Sequence, residues 1–424
     1  MEENIVEDKS AKIDLGERIL EEKKEKLRSF LKNRYNFFLA GVLAFAFVLR
    51  AYFLYVAKDQ AHWWDTLAYA GIAKNMVFGL WTENWFIISE TLIRPPLLPL
   101  IWSALMRLNI GDFGMLILIE FIPSMLSVLL IYLIGKELYD EKVGLISAFM
   151  AAVAWIHLFY SVRIMTDIPS LFLALASIYF FVKSYENFEL KYFSLSILFL
   201  SLAILMRYSY GLIGFVYLIF LGLVHRHRVL GKKNFWIGSV IGVVPLLIFF
   251  ASNLIKYGGL FPAVESYAAA AAEKPVAFYV FGFIPYILKN TFTGLFLIGL
   301  AIVIFELFIG LDAISKFKRI KSDVFLIVML LVSLIFFVFV IKAAEDRYLM
   351  MIFPPMFVFS SIALLDVYNF AGKYSKAFAV ILVLGILGFG AYSQITFGNM
   401  IIEDKKTSFL PMKEALVWIG ENTP

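Results

Sequence analysis

Long apolar runs alternate along the chain with short polar connections, and this pattern predicts a bundle of membrane-spanning helices. A helix crosses about 30 Å of hydrocarbon with roughly 17 to 25 apolar residues. Eleven runs approach or reach this length, and we therefore predict an all-α polytopic membrane protein with about 11 transmembrane helices. The runs lie near 35–57, 113–134, 143–160, 168–183, 192–206, 210–224, 235–255, 291–311, 324–341, 349–367 and 376–396.

Two further apolar stretches are too short to span a bilayer. They are LLPLIWSALM at 97–106 and VAFYVFGFIPYIL at 276–288. We interpret both as interfacial or re-entrant helices. The first would be an amphipathic juxtamembrane helix within a first outer loop over 58–112.

The connections carry very unequal numbers of Lys and Arg. If the amino terminus is cytoplasmic, fourteen lie in the short inner loops and four in the short outer loops, namely Arg163, Arg207, Lys342 and Arg347. Cytoplasmic loops are enriched in these residues, so the bias supports eleven spans and a cytoplasmic amino terminus. Promoting one of the two short stretches to a full span would reverse the bias downstream, whereas promoting both would restore it.

Three segments follow from this topology. Residues 1–34 are charge-dense and predict an amphipathic cytoplasmic helix on the membrane surface. Residues 35–396 form the transmembrane module. We expect 397–424 to be an extracytoplasmic tail, with the truncated start of a soluble domain as a second interpretation. The predicted location is the cell membrane, crossed several times.

The composition agrees with a membrane protein and excludes a water-soluble enzyme. Hydrophobic residues make up 61% and charged residues 17% of 424 positions, with a mean hydropathy of +0.83. Globular chains have about 45–50% and about 25%. With no cysteine, disulfides, thiol nucleophiles and thiolate metal sites are excluded. The net charge of +5 reflects the Lys and Arg bias of one membrane face, so we expect no nucleic-acid partner.

Charged residues outside the inner loops gather at one predicted membrane face. They come from the first loop, from the outer ends of the fourth, fifth and seventh spans, and from the connection between the ninth and tenth. Carboxylates and guanidinium groups from distant segments at one level indicate a site at the membrane interface. A transporter more typically binds its substrate near the midplane, between helices related by internal repeats.

The first loop combines a carboxylate with aromatic rings. Asp65 follows Trp63 and Trp64, and a helix starting at Asp65 places Tyr69 on the same face, four residues later. Rings pack against the C–H faces of a sugar while a carboxylate accepts from its hydroxyl groups, so these residues are candidates for sugar binding. Helix capping by Asp65 and interfacial anchoring by the tryptophans are the alternatives.

Three arginines are candidates for binding an anionic headgroup, because the planar guanidinium binds phosphate bidentately and stays charged. Arg94 precedes a Pro-Pro pair. Arg207 and Arg347 lie at predicted outer helix ends, and each directly precedes a tyrosine. The tyrosine that follows Arg347 is Tyr348. Anchoring of the helices in the interface is the alternative for all three.

Three further acidic residues accompany these arginines. Asp167, followed by Ile168-Pro169, reads first as a helix cap, which does not exclude a role in the site. Glu345 and Asp346 could supply a base or a metal ligand. Since the first loop has no spaced acidic motif such as DxD, we predict no metal site and no required cofactor, with a divalent metal as the alternative.

Two charged residues lie inside predicted spans. Arg50 in the first span and Glu120 in the second are each about 10 Å from the predicted outer surface, at a rise of about 1.5 Å per residue. Because isolated charges are costly in a bilayer, we expect a structural ion pair between these neighbouring helices.

Five motifs lie at the predicted outer membrane face, in this order along the chain: WWDTLAYAGIAKNMVFGLW, IRPPLLPL, MTDIPSLFLALASIYFF, LMRYSYGL and EDRYLMMIFPP. In their order and in their position at this face, they resemble the motifs of the GT-C glycosyltransferases. Within that superfamily the chain is similar to the family 39 type, which includes protein O-mannosyltransferases and lipid A aminoarabinose transferases. The resemblance covers most of 35–396. It implies transfer of a sugar from a polyprenyl phosphate carrier to an acceptor outside the cytoplasm.

The resemblance also implies roles for single residues. Asp65 matches the acidic residue assigned to acceptor activation, and Arg94 matches the basic residue at the carrier phosphate. Arg207 and Arg347 correspond less securely to basic residues around that phosphate, and Asp167 matches a recurrent acidic position. Two departures are the single carboxylate of Asp65-Thr66, where the family often has an acidic pair, and the family's carboxyl-terminal domain, which this sequence does not contain.

We therefore expect an integral-membrane glycosyltransferase that uses a dolichyl or undecaprenyl phosphate donor and inverts the sugar carbon. Asp65 would be the base, the arginines would bind the lipid phosphate, and the active site would be extracytoplasmic. The expected partners are the sugar donor, a protein, glycan or lipid acceptor, and membrane lipids. A lipid-linked sugar flippase or transporter is the alternative, because it would bind the same lipids.

Overall fold

The fold is a bundle of apolar helices, and we describe it from a computed structural model. The structure describes residues 33–79, 91, 93–260, 278–310, 317–341 and 345–422, without the side chains of Trp64 and of 279–281. The predicted cytoplasmic helix over 1–34 therefore lies almost wholly outside the described residues.

Fifteen helices are numbered here within the described ranges. The first eight are α1 (Arg34–Val56), α2 (Trp64–Phe78), α3 (Leu97–Arg107), α4 (Asp112–Leu138), α5 (Glu141–Val153), α6 (Trp155–Tyr160), α7 (Asp167–Ser184) and α8 (Leu190–Met206). The others are α9 (Gly211–His225), α10 (Lys233–Tyr257), α11 (Ile284–Gly310), α12 (Lys318–Ile335), α13 (Phe353–Gly372), α14 (Lys376–Lys405) and α15 (Leu410–Asn422).

The prediction of an all-helical polytopic membrane protein is confirmed. Every predicted span lies on a helix or a helix pair. Of the helices in the described ranges, nine are long and apolar enough to cross a membrane. The two remaining predicted spans are the 17-residue α8 and the pair α5 and α6, which a break at Ala154 separates.

The two short apolar stretches differ from each other. The first forms α3, which packs on α2 as a separate short helix, as predicted. The second is described from residue 278, and it continues through a π-helical turn, Phe278–Phe283, directly into α11. The chain leaves helical geometry only at Lys289, where φ is 55° and ψ is 173°. The second stretch is therefore the kinked beginning of a long helix.

Helix α13 lies at the centre of the bundle and contacts α5, α11 and α14. Its approach to α11 depends on Gly299, because a Cβ atom there would lie 1.9 Å from the carbonyl oxygen of Phe359. Small residues allow such close backbone contacts between membrane helices, where dispersion forces replace the hydrophobic effect. Helices α7, α8 and α10 pack in series beside this centre.

The break between α5 and α6 leaves backbone groups without helical partners, which a membrane interior does not tolerate. Arg50 Nη1 donates to the carbonyl of Ala152 at 3.2 Å. The side chain of Gln394 accepts from the Trp155 amide at 2.9 Å and donates to the carbonyl of Ile287, next to the α11 kink, at 3.0 Å. One glutamine of α14 thus connects both interrupted helices.

The predicted ion pair between Arg50 and Glu120 is wrong. Arg50, fully buried, binds Ser124 and lies 2.7 Å from Nδ1 of His157. Glu120, also fully buried, accepts from the Met165 amide at 2.7 Å. Each side chain satisfies non-helical backbone or a neutral partner, because the helix break and the following loop supply polar groups that no apolar pattern reveals.

Charged side chains lie at both ends of the bundle. At one end, next to the connections that follow α4 and precede α12, Lys136 and Lys321 pair with Glu141 at 2.8 Å and Glu186 at 2.7 Å. These connections are the loops predicted to be cytoplasmic. The amino-terminal ends of α2 and α7 lie at the opposite end, with the turn that precedes α13. The predicted division at 396 stays a prediction; α14 continues across it to Lys405.

We expect Gln394→Leu to destabilise the protein, because the buried Trp155 amide loses its hydrogen-bond acceptor. An unsatisfied buried group costs about 1–3 kcal/mol. The measurement is the thermal unfolding temperature of the purified protein in detergent. Thr396→Val, at an exposed position of the same helix, is the matched control. Equal unfolding temperatures for the two variants would show that Gln394 does not support the interrupted helices.

Candidate active site

Five segments that are distant in sequence deliver charged side chains to one end of the bundle. They are the first turns of α2 and α7, the residue before the Pro-Pro pair, the residue after α8, and the chain just before α13. The ion pair between Asp65 and Arg347 joins positions 282 residues apart. The sequence indicated that carboxylates and guanidinium groups gather at one membrane face. In the structure these groups lie together at one end of the bundle.

Asp65 lies between two arginines. Its Oδ1 accepts from Arg94 Nη2 at 3.1 Å, and its Oδ2 accepts from Arg347 Nη1 at 2.9 Å. Asp65 is in the first turn of α2, where the positive end of the helix dipole favours an anion. Both oxygens are therefore held by cations on a rigid helix end.

Burial and charge act in opposite directions on Asp65. Burial raises the pKa of this carboxyl, but the charges and hydrogen bonds of Arg347 and Arg94 outweigh it, so the pKa lies below its usual value. The side chain is 29% exposed, which leaves it reachable from the adjoining cavity. Asp65 is therefore an ionised carboxylate at neutral pH.

Asp167 forms a second, more deeply buried centre. Its side chain is 1% exposed and its Oδ1 accepts from Arg207. Arg347 Nη1 lies 3.9 Å from Oδ2 of the same carboxylate. Thr166 is the residue that caps α7, and its side chain makes no capping hydrogen bond. Asp167 thus pairs with arginine in the first turn instead of capping the helix itself.

Arg347 connects the two centres. Its guanidinium also binds Glu345, whose side chain is 46% exposed, so three carboxylates share one cation. Asp346 accepts from the Arg347 amide at 2.8 Å and from the Tyr160 hydroxyl at 2.9 Å. Glu345 and Asp346 therefore orient Arg347 and fix the turn before α13.

Aromatic rings cover the arginines. Arg94 lies over the ring of Tyr69 at 4.8 Å, and Arg207 lies over Tyr348 at 5.1 Å. Such stacking orients a guanidinium while leaving its edge donors directed elsewhere. Trp64, a candidate for substrate contact, lies outside the described side chains. Its neighbour Trp63 lines the site instead.

A cavity of about 620 Å³ opens beside Asp65 and Arg347. Its lining combines charged residues, Asp65 and the three residues Glu345 to Arg347, with aromatic side chains. The described aromatic side chains around the cavity are Trp63, Tyr160, Phe278, Phe283, Tyr286 and Phe409. A space lined by both carboxylates and aromatic rings fits a sugar and an apolar tail.

The acidic side chains do not form a metal site in the part of the chain that the structure describes. No group of three or more His, Asp or Glu side chains there could hold a metal ion. That the reaction requires no metal stays a prediction, because the arrangement of these side chains does not test the reaction.

Several residues around the cavity were not singled out from the sequence. Tyr160 gave no signal, because it lies within an apolar run that reads as an uninterrupted span. Tyr286 and Lys289 lie in the second short apolar stretch and just after it. There the only signal was a lysine directly after an apolar sequence, in YILKN.

Comparison with known proteins identifies the fold. The family model described as "Dolichyl-phosphate-mannose-protein mannosyltransferase" matches residues 93–255. No curated protein sequence matches the chain.

Two solved proteins are similar in structure. Archaeal oligosaccharyltransferase AglB from Archaeoglobus fulgidus, in complex with an inhibitory peptide and a dolichol-phosphate, has a TM-score of 0.59 at 15% identity over 93% of this chain. ArnT from Cupriavidus metallidurans bound to undecaprenyl phosphate has a TM-score of 0.53 at 12% identity over 88% of this chain and 75% of its own. The chain spans 55 to 59% of the length of the oligosaccharyltransferase.

These similarities confirm the resemblance to the GT-C superfamily. The chain has the fold that the oligosaccharyltransferase and ArnT share, and the family match agrees with membrane glycosyltransferases. At this level of identity the structural comparison establishes the fold alone. The roles of individual residues depend on the geometry described above.

We expect the ion pairs of Asp65 to persist to mildly acidic pH. A carboxyl with a lowered pKa contributes stability above its unfolded pKa of about 3.9, and this stability is lost as the pH falls through the folded pKa. The difference in unfolding temperature between the wild type and Asp65→Asn should therefore stay constant from about pH 7.5 to 5 and shrink only below about pH 4.

The measurement is a series of thermal unfolding curves in detergent at each pH. Asp59→Asn changes an exposed carboxylate in the same loop and serves as the control, with little difference from the wild type at any pH. A stability difference for Asp65→Asn that already declines between neutral pH and pH 5 would contradict the doubly paired carboxylate.

Proposed function

We propose, from the premise that this chain has the GT-C fold of membrane glycosyltransferases, that it transfers a sugar from a polyprenyl phosphate to an acceptor on the extracytoplasmic side. The observation that carries this proposal is Asp65, an ionised carboxylate at the wall of a cavity and flanked by Arg94 and Arg347. The fold and the family match support the reaction class.

The chemical step is a direct displacement at the anomeric carbon. The acceptor oxygen forms a bond to this carbon while the bond from the carbon to the phosphate oxygen breaks, and that electron pair leaves with the lipid phosphate. The proton of the acceptor hydroxyl passes to Asp65. Attack from the face opposite the phosphate inverts the sugar carbon.

Asp65 suits a late proton transfer. Two bound arginines make a carboxylate a weak base, but a hydroxyl group becomes strongly acidic as its oxygen bonds to an oxocarbenium-like carbon. Each carboxylate oxygen has two acceptor positions, so Asp65 can orient the hydroxyl while Arg94 and Arg347 stay bound. General base catalysis of this kind contributes about 10²–10⁴ in rate.

The arginines suit the leaving group. A guanidinium has five N–H donors, and Arg94 and Arg347 use only some of them on Asp65. The positive charges of these two groups can stabilise the charge that develops on the phosphate oxygen in a partly dehydrated site. Arg207, held by the buried Asp167, would add to the positive potential behind Arg347.

The orientation follows from the two ends of the bundle. The Lys-rich connections lie at the end opposite Asp65, and such connections are cytoplasmic in membrane proteins. This arrangement supports an extracytoplasmic site in the proposal. A donor with a polyprenyl tail fits this position, and lipids of this class are bound to both structural neighbours, as dolichol-phosphate in one and undecaprenyl phosphate in the other.

We expect Asp65→Asn to lose transfer by at least about 100-fold while it still binds the lipid phosphate, because it removes the base but keeps the shape of the site. We expect Arg94→Ala to lose both transfer and binding. The measurement is release of free polyprenyl phosphate from a lipid-linked sugar in the presence of an acceptor, with binding of polyprenyl phosphate followed separately.

Arg107→Ala is the matched control for Arg94→Ala, because Arg107 is an exposed arginine at the end of α3 and near the same loop. Full transfer activity in Asp65→Asn would reject Asp65 as the base. Movement of the intact lipid-linked sugar across a vesicle membrane without release of the phosphate would favour a flippase over a transferase.

A further inference from the structure

The charged side chains described at the site carry no net positive charge that would attract a phosphate. Four carboxylates, those of Asp65, Asp167, Glu345 and Asp346, face three guanidinium groups, and each arginine already binds at least one carboxylate. Among the residues that the structure describes, the formal sum of these groups is one negative charge before any ligand binds. A lipid phosphate adds at least one more, so a further cation would strengthen its binding.

Arg163 and Lys289 lie next to residues that line the cavity, and neither has a carboxylate partner among the residues that the structure describes. Arg163 is 3% exposed, donates to the Phe159 carbonyl and packs against the rings of Trp63 and Phe159. Lys289 is only half-buried. Of these two cations, Lys289 is therefore the more accessible to a ligand.

Lys289 lies in a cage of three aromatic rings. Its Nζ is 3.0 Å from the ring centre of Phe397, 4.4 Å from that of Tyr286 and 5.3 Å from that of Trp155. Ring faces stabilise an ammonium group without using its N–H donors, of which it has three. The cage holds the charge in place and leaves it available to an anion.

The cage adjoins the cavity. Tyr286 belongs to both, since its side chain lines the cavity and also contacts the ammonium group of Lys289. Phe283, one turn earlier, continues the same aromatic wall. A ligand in the cavity with a phosphate near Tyr286 would thus reach Lys289, and its apolar tail would pack along the rings.

The backbone at Lys289 is strained and held in place. A lysine at φ 55° is in the left-handed region, which costs of order 1 kcal/mol or more and persists only where the surroundings enforce it. Here Gln394 and the Trp155 indole both donate to the carbonyl of Ile287, at 3.0 Å each. Such strain is typical of functional sites.

We propose that Lys289 binds the phosphate of the polyprenyl carrier and that the Phe283 and Tyr286 rings pack on its prenyl chain. This inference rests on the proposed function and names a residue that the proposal does not include. Lys289 supplies the net positive charge that the paired arginines lack, while Arg94 and Arg347 orient Asp65 and approach the leaving oxygen.

The test measures binding of undecaprenyl phosphate and of undecaprenol to the purified full-length chain in detergent. We expect Lys289→Gln to weaken binding of the phosphate by about tenfold or more, because a charged hydrogen bond is lost, and to leave binding of the alcohol unchanged. Lys289→Arg should stay within about threefold of the wild type.

Lys58→Gln is the matched control, because Lys58 is an exposed lysine whose Nζ lies 4.8 Å from the ring centre of Tyr55 in α1 and which is not among the residues that line the cavity. Its affinity for the phosphate should equal that of the wild type. Unchanged binding of undecaprenol and an unchanged unfolding temperature verify that Lys289→Gln is folded.

Equal binding of the phosphate by the wild type and Lys289→Gln overturns the role of Lys289 and leaves the proposed function standing. Equal competition by phosphatidylglycerol shows a general site for anionic lipids and also overturns the inference. Failure of the wild type to bind undecaprenyl phosphate at all contradicts the proposed donor class, and therefore both proposals.

Discussion

The arrangement of the site depends on the ion pair between Asp65 and Arg347. This contact joins the first turn of α2 to the turn before α13, two elements that are far apart in the sequence. Both partners are more than two thirds removed from water, so their attraction is stronger than that of a surface pair. Arg94 and Asp167 then extend the pair into a network, and the cavity opens on the side of Asp65 that the network leaves accessible.

The interrupted helices are the second constraint. A break at Ala154 and a kink at Lys289 direct Tyr160 and Tyr286 toward the cavity, and both require polar partners within an apolar bundle. Arg50, Gln394 and the Trp155 indole supply these partners. The buried polar residues of this protein thus support irregular backbone close to the site.

Much of the fold and of the candidate site could be predicted from the sequence. Hydropathy located the helices, and the distribution of charges placed Asp65, Arg94 and Arg347 at one level, because helix ends are fixed by bilayer thickness. The helix breaks could not be predicted, since an interrupted helix and a continuous one have the same apolar composition. For this reason Arg50 was assigned the wrong partner and Lys289 was overlooked. Whether Trp63 or Trp64 lines the site could not be predicted either. Both lie at the start of a helix, where the periodicity of the sequence does not define which way a side chain points.

The sharing of Arg347 among Asp65, Asp167 and Glu345 has a consequence for the evolution of this site. Removing one member of such a cluster changes the charge that the others experience, so the effects of single substitutions do not add. Loss of Arg347 alone would leave carboxylates facing one another. Loss of Arg347 together with one of these acidic residues would disturb the site less. Homologous sequences should therefore vary at these positions jointly, as correlated changes, and rarely one at a time.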